Sequence, residues 1–209
     1  MNRKVPGPTL MRLATYLTYL AELDAKGVDT ISSAQMEDRT GINAAIFRKD
    51  LSYFGEFGKP GIGYCVHELS AKIAAILKVD REQGVLLVGA GNLGSAIVAY
   101  PGLVSRNFHI AAVFDNNYNK IGRKLWDLEI LDIANVKEVN NQLGARIAIL
   151  AIPASAAQEV AEMLVEANVR AILNFAPVTL RLPKHITVRN ADFVQELAVL
   201  SYYLSDQEV

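Results

Sequence analysis

Cysteine is almost absent from the chain: Cys65 is the only one among 209 residues, so no internal disulfide can form. Histidine is scarce as well. His67, His109 and His185 show no paired ligand spacing, and with a single thiol they make no metal-binding set. No apolar run approaches the ~18 to 20 residues of a membrane span. Arg3, Lys4 and Arg12 interrupt the first twenty residues, where a secretory leader would carry an unbroken apolar core. Neither sign of charge is in excess. With 21 basic residues against 22 acidic ones, a net of −1, any nucleic-acid contact must come from a local basic face and not from a globally cationic chain. These absences point to a cytoplasmic protein with no metal and no membrane partner. What is present is ordinary for one or two globular domains, with 51% hydrophobic and 21% charged residues.

The character of the chain changes near KVDREQ, Lys78 to Gln83. Before it, short helices follow one another. Leu10, Leu13, Leu17 and Leu20 recur at helical spacing, with Gly27 placed to stop that helix. A second helix opens with Ser32 and Gln35 in capping-box spacing and ends at Gly41. Asn43 caps a third, with Ile42 and Phe47 spaced as a hydrophobic staple. In that third helix Phe47, Leu51 and Phe54 share one face, while Ala45, Arg48, Lys49 and Ser52 share the opposite one. Gly55, Gly58, Gly61 and Gly63 then punctuate alternating Phe57, Ile62, Tyr64 and Val66, the pattern of a short β-hairpin, before a fourth helix over Glu68 to Lys78. Helix, helix, helix, hairpin is the order of a winged helix-turn-helix.

After the break, apolar strands alternate with helices: Val85 to Val88, Asn92 to Tyr100, Ile110 to Phe114, Val136 to Leu143, Ile147 to Ile152, Ser155 to Ala167, Ala171 to Phe175. Such alternation builds a parallel sheet with right-handed crossovers, a Rossmann-type α/β fold. Gly89, Gly91 and Gly94 form G-x-G-x-x-G between the first strand and its helix, the context that a dinucleotide fingerprint requires. The first glycine permits the turn, the second lets backbone approach a pyrophosphate, and the third lets helix and strand pack. Asp115 ends the next strand, 21 residues past Gly94, placed to accept ribose hydroxyls and to favour NAD(H) over NADP(H). A final helix, Ala191 to Ser205, carries Phe193, Leu197, Leu200 and Leu204 on one stripe beside Val194, Ala198 and Ser201. A terminal helix this apolar needs something to bury it.

A catalytic role finds little support. No Tyr-x-x-x-Lys occurs, the three histidines lack base spacing, and little more than one hundred residues of sheet region leave no separate substrate domain. Arg48 and Lys49 suit a helix entering a major groove, with Ser52 and Tyr53 available for phosphates or base edges. Residues 1–80 hold ten basic residues against nine acidic, so the pattern alone leaves a solvated helix face as an alternative. Two further alternatives stand: a small NAD-dependent oxidoreductase whose helical segment only dimerises, and a CoA-type or nucleotide-binding module without a DNA role.

The run FRKDLSYFGEFGKPGIGY followed by VGAGNLG, then FD, IPASAAQEVAEMLVEA and ILNFAP, resembles the redox-sensing transcriptional repressor Rex family, in order and over nearly the whole chain. The resemblance implies a non-catalytic homodimer that binds palindromic operator DNA and responds to the balance of NADH and NAD+. It implies a winged-helix DNA-binding domain over residues 1–80, a Rossmann NAD(H)-binding domain over 81–190 and a C-terminal helix, 191–209, exchanged between protomers. Gly89, Ala90, Gly91, Asn92, Leu93 and Gly94 would hold the pyrophosphate and Asp115 the adenine ribose. Arg48 and Lys49 would lie in the major groove, with Lys59, Pro60 and Gly61 at the wing tip. Pro60 stands where family members commonly have Arg, which leaves Lys59 as the nearest cation. Phe193 and Asp192 would approach the other subunit's nicotinamide pocket, with Tyr100 and Arg12 as competing partners of Asp192.

Overall fold

The computed structural model describes residues 5–59 and 61–205, and for Ser205 the backbone alone. The chain forms two compact units, Met1–Arg81 and Glu82–Val209.

In the first unit, α1 (Gly7–Ala25) starts on a proline-bearing turn and buries Leu13, Tyr16 and Leu20 completely. Gly27 ends it with a φ of 70°, a conformation that favours glycine. β1 (Thr30–Ile31) leads into α2 (Ser33–Thr40), whose capping box is complete: the Gln35 N–H donates to Ser32 Oγ at 3.2 Å and the Ser32 N–H to Gln35 Oε1 at 2.8 Å. α3 (Ala44–Ser52) is capped by Asn43, whose Oδ1 accepts the Ala45 N–H at 2.9 Å. Phe47 and Leu51 face the core as the spacing predicts, and so does Asp50, which the apolar pattern had not marked.

The wing differs from the expected hairpin. One bridge, Lys59 to Gly63, closes the loop, while β2 (Tyr64–Cys65) pairs antiparallel with β1 instead of with a sister strand. Val66 is not a strand residue but the first residue of α4 (Val66–Leu77). The cause is backbone geometry. Gly58, Gly61 and Gly63 all take positive φ, outside the extended backbone that a ladder needs, and a Cβ on Gly63 would press on the Ile31 carbonyl at 2.7 Å, so β1 is its close neighbour. Pro60 lies outside the described residues.

The second unit is a seven-stranded sheet. Its elements run β3 (Gln83–Val88), α5 (Asn92–Val98), β4 (Phe108–Asp115), β5 (Lys124–Leu125), β6 (Leu128–Asp132), α6 (Val136–Leu143), β7 (Ile147–Leu150), α7 (Ala154–Glu166), β8 (Ala171–Asn174), β9 (Thr187–Asn190) and α8 (Phe193–Ser205). The spatial order is β5-β6-β4-β3-β7-β8-β9, parallel throughout except for β5. Without β5 this is the strand order of dinucleotide-binding doubly wound sheets, which reverses between β3 and β7. Alternation within β3 explains its apolar run: Leu86 and Val88 join the core under α6 and α7, while Val85 and Leu87 join the one that Ile97 and Val98 of α5 cover. α5 stops short of Tyr100 because Pro101 disfavours helical backbone in the residue before it. The sequence pattern predicts no strand at β5, β6 or β9. They are short and partly exposed, with no apolar run long enough to distinguish them from loop.

α8 stands uncovered. Phe193, Val194, Leu197, Leu200 and Leu204 are each more than half exposed, as are Tyr202 and Tyr203 on its other sides. No described helix is long and apolar enough to cross a membrane.

Candidate functional site

The three fingerprint glycines are required for three different reasons. Gly89 has a φ of 107°, and a Cβ there would collide with the Ala151 carbonyl at the end of β7. A Cβ on Gly94 would collide with the Gly89 carbonyl, so only glycine lets α5 settle on the turn that precedes it. Gly91 has nothing within 4 Å of its Cβ position. That bare backbone is the approach a pyrophosphate needs.

Beside the turn, Asp115 is 7% exposed and accepts three hydrogen bonds. The Ala90 N–H and the Lys120 ammonium donate to Oδ2 at 2.9 and 3.0 Å, and the Asn117 N–H donates to Oδ1 at 2.9 Å. Burial alone would raise the Asp115 pKa. The Asn117 N–H, Lys120 and the Ala90 N–H outweigh it and hold the carboxyl below its ordinary value. A carboxylate has about four acceptor positions, so one on Oδ1 stays open. Asp115 therefore presents an ion pair and not the bare negative charge that its place in the sequence suggests.

Gly89, Gly91, Asp115, Lys120, Pro153 and Ser155 line a cleft of ≈ 440 Å3 at the C-terminal ends of β3, β4 and β7. This is the switch point where open parallel sheets bind ligands. The residues fit a dinucleotide: a bare turn for the phosphates and a carboxylate for a ribose. Ala90 serves through its N–H, and Gly94 is buried under the turn. Asn92 and Leu93 are exposed at the start of α5. Tyr100 and Phe193, 62% and 73% exposed, do not line this cleft. Asp192 caps α8, its Oδ1 accepting the Val194 N–H at 2.9 Å. His109 lies at the opposite, N-terminal end of β4 with Nδ1 3.0 Å from Glu82, and His67 contacts Asp24 in the other unit. The described residues hold no cluster of metal ligands.

In the first unit, Ala45, Arg48, Lys49 and Ser52 are exposed along the outer face of α3. Arg48 donates through Nη1 to Ser33 Oγ at 2.8 Å, which ties α3 to the start of α2. Arg48, Ser52, Lys59, Gly61 and Ser33 line one groove of ≈ 740 Å3 between α3 and the wing. Lys49 and Tyr53 lie outside it, and Tyr53 is half-buried at the end of α3. Ser52 donates to the Lys49 carbonyl at 2.7 Å. Arg12 is held inside this unit by Asp50 at 2.6 Å, a partner that the apolar spacing of α1 did not reveal.

A basic helix with a glycine-rich wing in one unit and a glycine-fingered nucleotide cleft in the other define a class of transcription regulators that carry both functions in one chain. The family model "CoA binding domain" matches residues 80–178, and "Putative DNA-binding protein N-terminus" matches 4–52. The redox-sensing transcriptional repressors Rex of Desulforamulus reducens and Pelotomaculum thermopropionicum are 42% and 44% identical, over 98% of this chain and 98% and 96% of theirs. That of Carboxydothermus hydrogenoformans is 45% identical over 95% of this chain and 96% of its own. Among solved structures, RSP in complex with beta-NAD+ and operator DNA matches at 35% identity with a TM-score of 0.92, covering 99% of this chain and 95% of that one. RSP in complex with beta-NADH matches at 34% and 0.88, covering 99% and 97%. The chain belongs to the Rex family of redox-sensing transcriptional repressors.

Gly94→Ala is expected to destabilise the protein by ~1 to 3 kcal/mol through the backbone collision, whereas Gly91→Ala should stay within about 1 kcal/mol of wild type. Urea unfolding compares the two, and equal losses would remove the distinction between packing and approach glycines. Asp115 is depressed in the folded state, so it stabilises above its unfolded pKa of ~3.9 and loses that contribution as pH falls through the lower folded value. Asp115→Asn should therefore be less stable than wild type at neutral pH, with the gap closing below about pH 4. A gap that is constant across that range contradicts the hydrogen-bonded, charged Asp115.

Proposed function

We propose that this chain represses transcription in the cytoplasm as a homodimer, binding palindromic operator DNA through its winged helices and releasing it when NADH occupies the cleft. One observation carries the reading. The chain joins a groove holding Arg48 and Lys59 to a cleft holding Gly91 and Asp115, and its structural relative RSP, with the same architecture, is known in complex with both beta-NAD+ and operator DNA.

Arg48 is the base-reading candidate, since its guanidinium can make a bidentate contact to guanine once it leaves Ser33, while Lys49 and Ser52 suit phosphates. Lys59 at the wing serves the adjacent groove as a cation. In the cleft, Gly91 admits the pyrophosphate, and the open position on Asp115 Oδ1 accepts one ribose hydroxyl. A second hydroxyl requires Lys120, whose side chain is 37% exposed, to swing away from Oδ2. The bound dinucleotide supplies a difference in charge, because the oxidised nicotinamide is a cation and the reduced ring is neutral. An apolar Phe193 contributed by α8 of a second copy would accept the neutral ring without the desolvation cost of the cation. The same pairing covers the apolar stripe of α8 and leaves Asp192 to choose between Tyr100 and Arg12. Asp50 engages Nε and Nη2 of Arg12, so Asp192 would approach through Nη1 and leave that pair in place.

Two outcomes are expected. Anisotropy of a labelled palindromic duplex should show NADH lowering DNA affinity on the order of a hundredfold, about 2.7 kcal/mol of coupling, and saturating duplex must then weaken NADH binding by the same factor. An NADH affinity indifferent to the duplex would overturn the sensor. Arg48→Ala should cost ~1 to 3 kcal/mol of binding to the preferred duplex, and Lys49→Ala less and without sequence preference, each with NADH affinity unchanged. Wild-type DNA binding by both variants would place the DNA face elsewhere.

A further inference from the structure

We infer that Asp50 is a positioning residue that sets the rotation of α3 about its own axis, and with it the aim of Arg48 and Lys49 at DNA; the inference rests on the operator-binding reading above. Asp50 follows these two residues directly but lies on the inner face of the helix, 1% exposed. Four hydrogen bonds converge on its carboxylate from one face of α1. Thr9 Oγ1 and Arg12 Nη2 donate to Oδ1 at 2.9 and 2.7 Å, and Arg12 Nε and the Tyr16 hydroxyl donate to Oδ2 at 2.6 and 3.0 Å. Every acceptor position of the carboxylate is filled, and the two-pronged guanidinium contact fixes its plane as well as its distance.

One turn earlier on the same face, Phe47 is held edge-on between two rings. Its centroid is 4.9 Å from Tyr16 on α1 and 5.2 Å from Tyr64 on β2. Tyr16 thus touches α3 twice, with its ring on Phe47 and its hydroxyl on Asp50. Any roll of α3 must break both contacts. A roll of about 20° would move a side-chain tip ~5 to 6 Å from the helix axis by ~2 Å, enough to lose a bidentate base contact.

Stability does not account for the arrangement. A buried carboxylate paired with a guanidinium whose side chain is 29% exposed gains little net free energy, because desolvation of Asp50 offsets the attraction and solvent screens Arg12. Orientation does account for it, since an apolar contact tolerates sliding and a forked hydrogen bond does not. The groups also keep the forms that the clamp needs. Burial would raise the Asp50 pKa, but Arg12, Thr9 and Tyr16 hold it below the ordinary carboxylate value. Burial and then Asp50 push Tyr16 above the ordinary phenol value, so its hydroxyl remains a donor.

The test compares two full-length variants with wild type, without dinucleotide, on two probes. One is a palindromic duplex selected by the wild-type protein from a randomised pool, and the other is a scrambled duplex of the same composition. Asp50→Asn keeps the shape and removes the charge, and should lower the ratio of selected to scrambled affinity about tenfold or more while scrambled binding holds, because only base contacts need the aim. Tyr16→Phe keeps the ring stack and removes one of the four bonds, and should lower the ratio a few-fold in the same sense. Circular dichroism and the thermal midpoint identify a variant that fails to fold, in which case Tyr16→Phe alone decides. An unchanged ratio in a folded Asp50→Asn, or equal losses on both probes, would overturn the inference. A wild-type protein unable to prefer any selected duplex would instead overturn the operator-binding reading beneath it.

Discussion

The second unit depends on one close approach, the first turn of α5 lying against the Gly89 carbonyl with only the hydrogens of Gly94 between them. That contact sets the depth of the turn. The depth decides whether Ala90 can present its N–H to Asp115 on the neighbouring strand and whether Gly91 is left bare at the rim. Both faces of the sheet are packed by alternate residues of β3, so the strand cannot shift to relieve a bulkier turn. Backbone packing, phosphate access and the placement of one carboxylate are thus a single steric condition at three glycines.

The two units are built around the same electrostatic device. Each buries one aspartate almost completely and fills its acceptors with a cation and neutral donors, Asp50 with Arg12, Thr9 and Tyr16, and Asp115 with Lys120 and two backbone N–H groups. The difference lies in the donors. Asp50 is closed by side chains of a packed helix and has no vacancy, which suits a fixed joint. Asp115 is closed partly by the half-exposed Lys120, and keeps one acceptor position open, which suits a site that must exchange partners.

Much of this was legible in the sequence, and what was missed has a common cause. Caps and glycines are local signals, so Ser32, Gln35, Gly41, Asn43 and the fingerprint stand where their spacing predicts. Strands with long apolar runs were read for the same reason. β6 and β9 owe their existence to β4 and β8 beside them, and no local pattern carries that information. Asp50 was hidden by its type, since an acid between Lys49 and Leu51 reads as part of a solvated face. Its position, three residues after Phe47, assigns it to the core face, and Thr9, Arg12 and Tyr16 follow the same helical step on α1. Helical arithmetic applied to polar residues as well as apolar ones would have found the pair.

The bare apolar flanks of α8 bear on how the protein persists, apart from what it recognises. If, as proposed above, a second copy supplies the core side of this helix, the folded state is a bimolecular product whose stability grows with protomer concentration, and a lone chain carries an exposed hydrophobic surface. In that arrangement dilution would act as a denaturant, and newly made chains would compete between pairing and proteolysis. Such pairing through α8 would also be blind to the quality of the other unit. A chain with a ruined α3 and an intact α8 would still capture a sound one, and the defect would behave as dominant.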